Sequence, residues 1–317
     1  MTSARTQRTG PGLAIALLSG LAFGLAGPFA ASLLATGWSP LAVAFGRLAG
    51  AAVLLAVPLA LVLARGWRPR AGQLRATVVY GLVALAGAQV CYFSAVRQLS
   101  VGVALLIEYT APVLLLAWTW ARSGRAPRPS TLVGAALAVG GLVLVLDVAR
   151  GAVVSPVGVA WGLGAAVCLA AYFRLSAGDD GPPPLVLTAG GAIVATAVVG
   201  VVGLTGLLPF TANTAPIDLA GWTAPWWVGV VLVAAVSTAL AYLTGIVAIG
   251  RIGSRLASFV GLSEVLFAVL GAWWLVAERP TVTQVAGGLL IVGAVALIRA
   301  AEPPEDRPEA APVASAP

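Results

Sequence analysis

The chain reads as an all-α polytopic membrane protein, with ten transmembrane helices arranged as two inverted five-helix repeats. Three observations predict this. Of its 317 residues, 60% are hydrophobic and 9% charged, with a mean hydropathy of +1.01, a balance outside that of soluble domains. Apolar blocks recur along the whole length, each long enough to cross the ~30 Å hydrocarbon core of a bilayer. Related stretches also stand half a chain apart: GLAIALLSGLAFG from Gly12 and GVAWGLGAAVCLAA from Gly158, then VGAALAVGGLVLVL from Val133 and VAGGLLIVGAVALI from Val285. Five is an odd number, so two such units insert with opposite orientation, the arrangement of many secondary transporters.

Taken in order, residues 1–11 form a short polar N-terminus carrying Arg5 and Arg8. The block from Gly12 is too long for a signal-peptide core and is followed by many more spans, so it is expected to be an uncleaved first helix. Hydropathy places the helices at 12–34, 40–64, 74–96, 100–121, 129–147, 155–176, 184–208, 225–249, 254–277 and 281–299, giving a first repeat over 12–150 and a second over 151–299. Short connections rich in Gly, Pro, Arg or Asp separate them, with breaks at Asp179-Asp180-Gly181 and at the longer loop Thr211–Trp222. The proline- and alanine-rich tail, 300–317, has the composition of a disordered cytoplasmic segment. All 18 basic residues are arginine. If the N-terminus is cytoplasmic, only Arg97, Arg150 and Arg279 fall outside and Arg47 lies within a helix, so the positive-inside rule places both termini in the cytoplasm. With the arginines acting as topology signals, the net charge of +7 does not point to nucleic acid.

There is no histidine, and the two cysteines, Cys91 and Cys168, lie inside apolar blocks. Zinc centres, histidine-dependent triads and a disulfide framework are therefore not expected, and no metal or cofactor is implied. Without a nucleophile–base pair or a soluble domain to hold one, an enzyme is not expected either; a membrane enzyme or a non-transporting membrane subunit is the alternative from another class.

Several motifs carry a family resemblance: Gly46-Arg47 in the second helix, Tyr92-Phe93 with ALLIEYTAPVLLLAW across the third and fourth, and Ala241-Tyr242 with ASFVGLSEVLFAVLGAWWLVAERPT in the second half. With these the chain resembles the drug/metabolite transporter superfamily, in its ten-helix EamA family, over about residues 12–299. The segment LIEYTAP is similar to the threonine/homoserine exporter branch. The resemblance implies two EamA repeats, a bacterial inner-membrane location and efflux of small metabolites in exchange for protons. Many members have Glu-Pro in the ninth helix where this chain has Ser263-Glu264.

Ionisable groups inside spans are costly, so they face the bundle interior and mark function by default. Glu108 shares a helix face with Ala104 and Ala111. It is a site for a substrate ammonium group or a proton, or else a structural ion pair. Glu264 lies on a stripe of Ala257, Gly261, Ala268 and Gly271 at similar depth, and is either a second proton-coupling carboxylate or the acceptor of a packing hydrogen bond from Ser237, Thr238 or a backbone group. Arg47 either clamps a substrate carboxylate, pairs with Glu108 or snorkels outward. Gln89, Tyr92, Tyr109 and Tyr242 are candidate substrate contacts, with membrane-interface anchoring as the rival role for the tyrosines. Trp118, Trp120, Trp226, Trp227, Trp273 and Trp274 read as an interfacial belt. Pro28, Pro112 and Gly261 are candidate hinge or packing points, and Gly134 and Gly140-Gly141 with Gly287-Gly288 signal close helix contact, within one chain or between two. The expected activity is proton-coupled export of a small metabolite, an amino acid or similar zwitterion; efflux of cationic or apolar compounds is the alternative. Partners are the small-molecule substrate, protons and the lipid bilayer, for a monomer or homodimer.

Overall fold

The computed structural model describes residues 3–124, 129–145, 155–176, 182–252, 260–261 and 263–301. The Asp179–Gly181 break, the 150/151 repeat boundary, Arg125, Arg128, Arg150, Arg255, Ala257 and the acidic tail from 302 lie outside these residues.

The first expected span is two helices, α1 (Ser3–Gly24) and α2 (Ala26–Ala35), interrupted at Leu25. The cause is Pro28, which has no N–H for the Gly24 carbonyl and so sits in the first turn of a new helix. The second span, α3 (Pro40–Ala64), is continuous and has the predicted limits. Pro40 starts it and the Ser39 hydroxyl accepts from the Ala42 N–H at 3.2 Å, a side-chain N-cap. The third span runs as α4 (Ala71–Val79), a π-helical segment (Tyr80–Gly87) and α5 (Ala88–Val96). The fourth is broken into α6 (Val101–Glu108) and α7 (Ala111–Ser123), because Pro112 removes the N–H that the Glu108 carbonyl would accept. Next come α8 (Pro129–Val145), α9 (Pro156–Ser176) and α10 (Pro184–Thr205). The eighth span repeats the pattern of the third: α11 (Trp226–Val231), a second π segment (Leu232–Leu240) and α12 (Ala241–Ile252). The last two helices are α13 (Ser263–Val276) and α14 (Val282–Ala301).

Among the described residues five helices are long and apolar enough to cross a membrane: Gly10–Ala35, Pro40–Ala64, Ala71–Val96, Leu185–Thr205 and Trp226–Gly245. Four others are apolar but shorter. Hydropathy counts apolar residues and does not register the proline that divides the 100–121 block in two.

The packing respects exchange of the two halves. The second span packs on its counterpart, α3 on α10, and the fifth on the tenth, α8 on α14. α5 packs on α9 as α12 does on α1, and α6 packs on α9 as α13 does on α1. Each π segment lies against the second span of the other half, the first on α10 and the second on α3. Glycines permit the closest approaches. A Cβ on Gly141 would lie 2.7 Å from the Gly287 carbonyl oxygen, and one on Gly24 would lie 2.7 Å from that of Glu264. Backbone cannot yield to such contacts, so these positions fix the crossings. The glycines of the fifth and tenth spans thus meet within one chain.

One element was not foreseen. In the long loop, β1 (Ile217–Leu219) pairs antiparallel with β2 (Trp222–Ala224) through a two-residue turn. Ala220 and Gly221 both have positive φ, 55° and 77°, the requirement of a type I′ hairpin. The hairpin caps one end of the bundle. There the Ser39 N–H donates to the Thr211 carbonyl at 2.9 Å, the Trp38 indole to that of Asn213 at 3.0 Å, and the Ala220 N–H to that of Leu275 at 2.9 Å, while the Asn213 amide bonds the Thr36 carbonyl. Loops of both halves are tied shut at this hairpin end.

Candidate functional site

Arg47 is at the centre of the polar interior. Seven residues into α3, it lies ~10 Å from the hairpin end and is 5% exposed. Its Nε donates to Thr238 Oγ1 at 2.9 Å and its Nη2 to the Ser237 carbonyl at 3.1 Å. Both partners lie in the second π segment, where Thr238 Oγ1 donates in turn to the Val233 carbonyl, five residues back, at 3.0 Å. A π turn displaces carbonyls from the regular α ladder, and here one of them receives the arginine. The guanidinium also stands 5.9 Å from the centre of the buried Phe93 ring. These bonds use two of its five N–H donors, and among the described residues no carboxylate closes an ion pair with it. Glu108, Glu264, Tyr92 and Tyr242 are all within its electrostatic reach.

A cavity of about 10 Å³, room for a single water-sized molecule, lies beside this arginine, between α3, the third span, α10 and the eighth span. Arg47, Gln89, Thr188, Thr238 and Tyr242 supply its polar wall, and Leu48, Ala51, Leu55, Leu85 and Ala192 the apolar one. Gln89 Oε1 is buried there without a hydrogen-bond partner. Tyr80 extends the polar wall: it is fully buried, within hydrogen-bonding reach of Thr188 and Tyr242, with its ring 5.8 Å from that of Tyr172.

The carboxylates form a second group, outside the cavity lining and within electrostatic reach of Arg47. Tyr109 donates its hydroxyl to Glu264 Oε2 at 2.8 Å, joining the two halves across the interruption after α6. Of the side chains expected to bond Glu264, Thr238 accepts from Arg47 instead and the Ser237 hydroxyl is buried without a hydrogen bond. Glu264 stands in the first turn of α13, where unpaired N–H groups favour negative charge. Glu108 is the last residue of α6, half-buried, with Ala104 and Ala111 beside it both fully buried. It faces the interior, within electrostatic reach of Glu264, Arg47 and Cys168. Cys91 and Cys168 are free thiols that face each other across α5 and α9.

Of the remaining candidates, Tyr92 is buried against Gly27, where its hydroxyl fills the space a Cβ would need. It faces protein, not the lipid interface. Pro28 is buried, a Cβ on Gly261 would meet nothing within 4 Å among the described residues, and Pro112 takes the second position of α7. Trp118, Trp120, Trp227, Trp273 and Trp274 are exposed on the outer surface, whereas Trp226 packs on Trp38 at 5.7 Å.

Residue reasoning did not single out Thr188, Tyr80 or Tyr172, nor Glu278, the charge that closes the ninth span. The Glu278 carboxylate accepts from the Val101 N–H at 2.8 Å and so caps α6, the helix that ends in Glu108. It follows Ala277, whose φ of 57° and the bond from Glu278 N–H to the Ala272 carbonyl form the left-handed stop of α13. Burial raises its proton affinity above the ordinary carboxyl range, partly offset by the Val101 N–H. The folded protein then holds this proton more tightly than the unfolded chain does. The group's contribution to stability is present below the ordinary carboxyl pKa and is lost as pH rises through the raised one. Thermal melts of the detergent-solubilised protein between about pH 4 and 7 should show that loss, and Glu278→Gln should flatten it.

The EamA-like transporter family matches the chain twice, over residues 10–147 and 156–300, one match for each half of the packing symmetry. The match reaches the family and not a branch within it. A solved structure titled only as a crystal structure of a protein is similar over 94% of this chain and 98% of its own, with 22% identity and a TM-score of 0.52, a likeness of fold alone. No curated protein matches the chain.

Proposed function

The chain belongs to the EamA-like transporter family, a family of membrane transporters, and from that premise we propose that it exports a small metabolite, an amino acid or similar zwitterion, by proton-coupled alternating access. The observation that carries this reading is Arg47: a buried guanidinium at the wall of a cavity, with three N–H donors left over and no carboxylate bound to it among the described residues. A permanent cation kept in that position is complementary to a substrate carboxylate, which it can grip with two parallel hydrogen bonds. Glu108 and Glu264 lie close enough to feel its charge; Glu108 serves as the proton carrier and Glu264 as the clamp that holds Tyr109. Tyr92, Gln89, Tyr109 and Tyr242 complete the substrate's surroundings.

In this reading the protein sits in a bacterial plasma membrane with both termini cytoplasmic, as a monomer or homodimer. The hairpin end then faces outward and is closed. Release requires the halves to rock, with the interruptions at Leu25 and Tyr109-Thr110 as hinges next to the two π segments. The test is reconstitution in liposomes with an imposed pH gradient and a panel of labelled amino acids. Gradient-dependent flux of at least one of them is expected; a complete lack of flux across the panel sinks the reading.

A further inference from the structure

The cavity holds a second polar demand besides that of Arg47. Gln89 Oε1, on α5, lines the same wall, is sealed from solvent and accepts no hydrogen bond. A buried acceptor without a donor is costly, and such atoms call for an explanation when a native fold retains them. The apolar part of the lining includes Leu48, Leu55 and Leu85, which offer no hydrogen bond. Three chemistries therefore meet in one small space: a cation with spare donors, an acceptor that lacks one, and a hydrocarbon face.

Resting on the export reading above, we propose that Gln89 makes this site selective for carboxylic acids bearing a hydrogen-bond donor on the carbon next to the carboxylate, with an apolar side chain. Once rocking of the halves widens this space, the carboxylate occupies the free edge of the Arg47 guanidinium. An α-ammonium or α-hydroxyl group donates to Gln89 Oε1, and the side chain lies on the leucines. Gln89 here is a specificity-determining residue. A ligand that lacks the α-donor leaves Oε1 sealed and unpartnered, so the bound state forfeits the donor–acceptor contact and retains the burial. Sites that hydrogen-bond a substrate N–H or O–H reject the analogue without it for this reason, far more strongly than apolar pockets reject a missing methylene.

The test compares four probes of one shape on the full-length protein in detergent: leucine, 2-hydroxy-4-methylpentanoate, 4-methylpentanoate and 3-methylbutylamine, with affinity read by titration calorimetry. Leucine and the hydroxy acid are expected to bind at least ~100-fold more tightly than 4-methylpentanoate, and the amine not at all. In Gln89→Met, which keeps the side chain's length, the preference for leucine over 4-methylpentanoate is expected to shrink to within about 3-fold; an unchanged melting temperature would show that the fold is kept. Equal binding of leucine and 4-methylpentanoate by the unaltered protein overturns the role of Gln89 and leaves carboxylate recognition by Arg47 standing. Binding of the amine alone, or of no probe, overturns both. An undiminished preference in a folded Gln89→Met protein also overturns the role of Gln89; should that variant not fold, binding of the hydroxy acid, which has no ammonium group for Glu108 to attract, no more tightly than 4-methylpentanoate overturns it.

Discussion

Arg47→Leu is expected to abolish binding and flux of carboxylate substrates while leaving the protein folded. Truncating one partner of a buried, hydrogen-bonded charge pair costs about 2–5 kcal/mol of affinity, which corresponds to a loss of roughly 30-fold to several thousand-fold. Stability is predicted to change far less, because two effects oppose each other. The substitution deprives Thr238 Oγ1 and the Ser237 carbonyl of their donors, and a buried acceptor left alone costs about 1–3 kcal/mol. It also removes a guanidinium that is desolvated with no ion-pair partner among the described residues, and exchanging buried ionic groups for well-packed apolar ones is often neutral or stabilising. Thr238 keeps its own bond to Val233. Arg47→Lys retains the charge but loses the planar two-point grip, and is expected to fall between the two. Size-exclusion chromatography, thermal melting and flux on the same preparations separate the cases. Unfolding of both variants would make Arg47 a structural bolt between α3 and the second π segment. Full flux of a cationic compound in a well-folded Arg47→Leu protein would favour the efflux of cations.

The same residue shows which parts of the molecule were readable beforehand. An arginine and two glutamates inside apolar blocks stand out in any sequence, since the cost of burying them restricts where they can point. Arg47, Gln89 and Tyr242 share one cavity, and Tyr109 meets Glu264. The partners were not readable, because they come from across the repeat boundary: 191 residues separate Arg47 from Thr238 and 155 separate Tyr109 from Glu264. Helix α3 was legible to its ends because Ser39-Pro40 is a start signal. The π segments carry no local signature, and both arise where a span packs against the opposite half. The hairpin was missed because its turn is Ala220-Gly221, a weak substitute for the Asn-Gly pair that announces a type I′ turn. Thr188 and Tyr80 escaped notice because hydroxyl groups are common in membrane helices and single one out only in three dimensions.

Glu108 and Glu264 differ in how firmly they are held, and that difference predicts which one couples transport to protons. Glu264 is fixed by the Tyr109 hydroxyl at 2.8 Å and by its place at the start of α13. Glu108 has no hydrogen bond among the described residues and ends α6 beside the turn that Pro112 interrupts, so its side chain is free to change partner when the halves rock. At one proton per substrate, a gradient of about two pH units can sustain up to ~100-fold accumulation, since each unit corresponds to a factor of ten. Glu108→Gln is expected to erase that accumulation and to leave substrate exchange at equal pH at about half the wild-type rate or more, because an amide of the same shape still accepts hydrogen bonds but binds no titrating proton. Glu264→Gln and Tyr109→Phe act on the bond that links the two repeats. Both should slow exchange and driven flux in parallel, with the pH dependence of what remains unchanged. Liposome counterflow and gradient-driven uptake, measured side by side, distinguish these outcomes. If Glu264→Gln removes the accumulation and Glu108→Gln does not, the assignments of carrier and clamp are reversed; if both variants accumulate substrate like the wild type, neither carboxylate carries the proton.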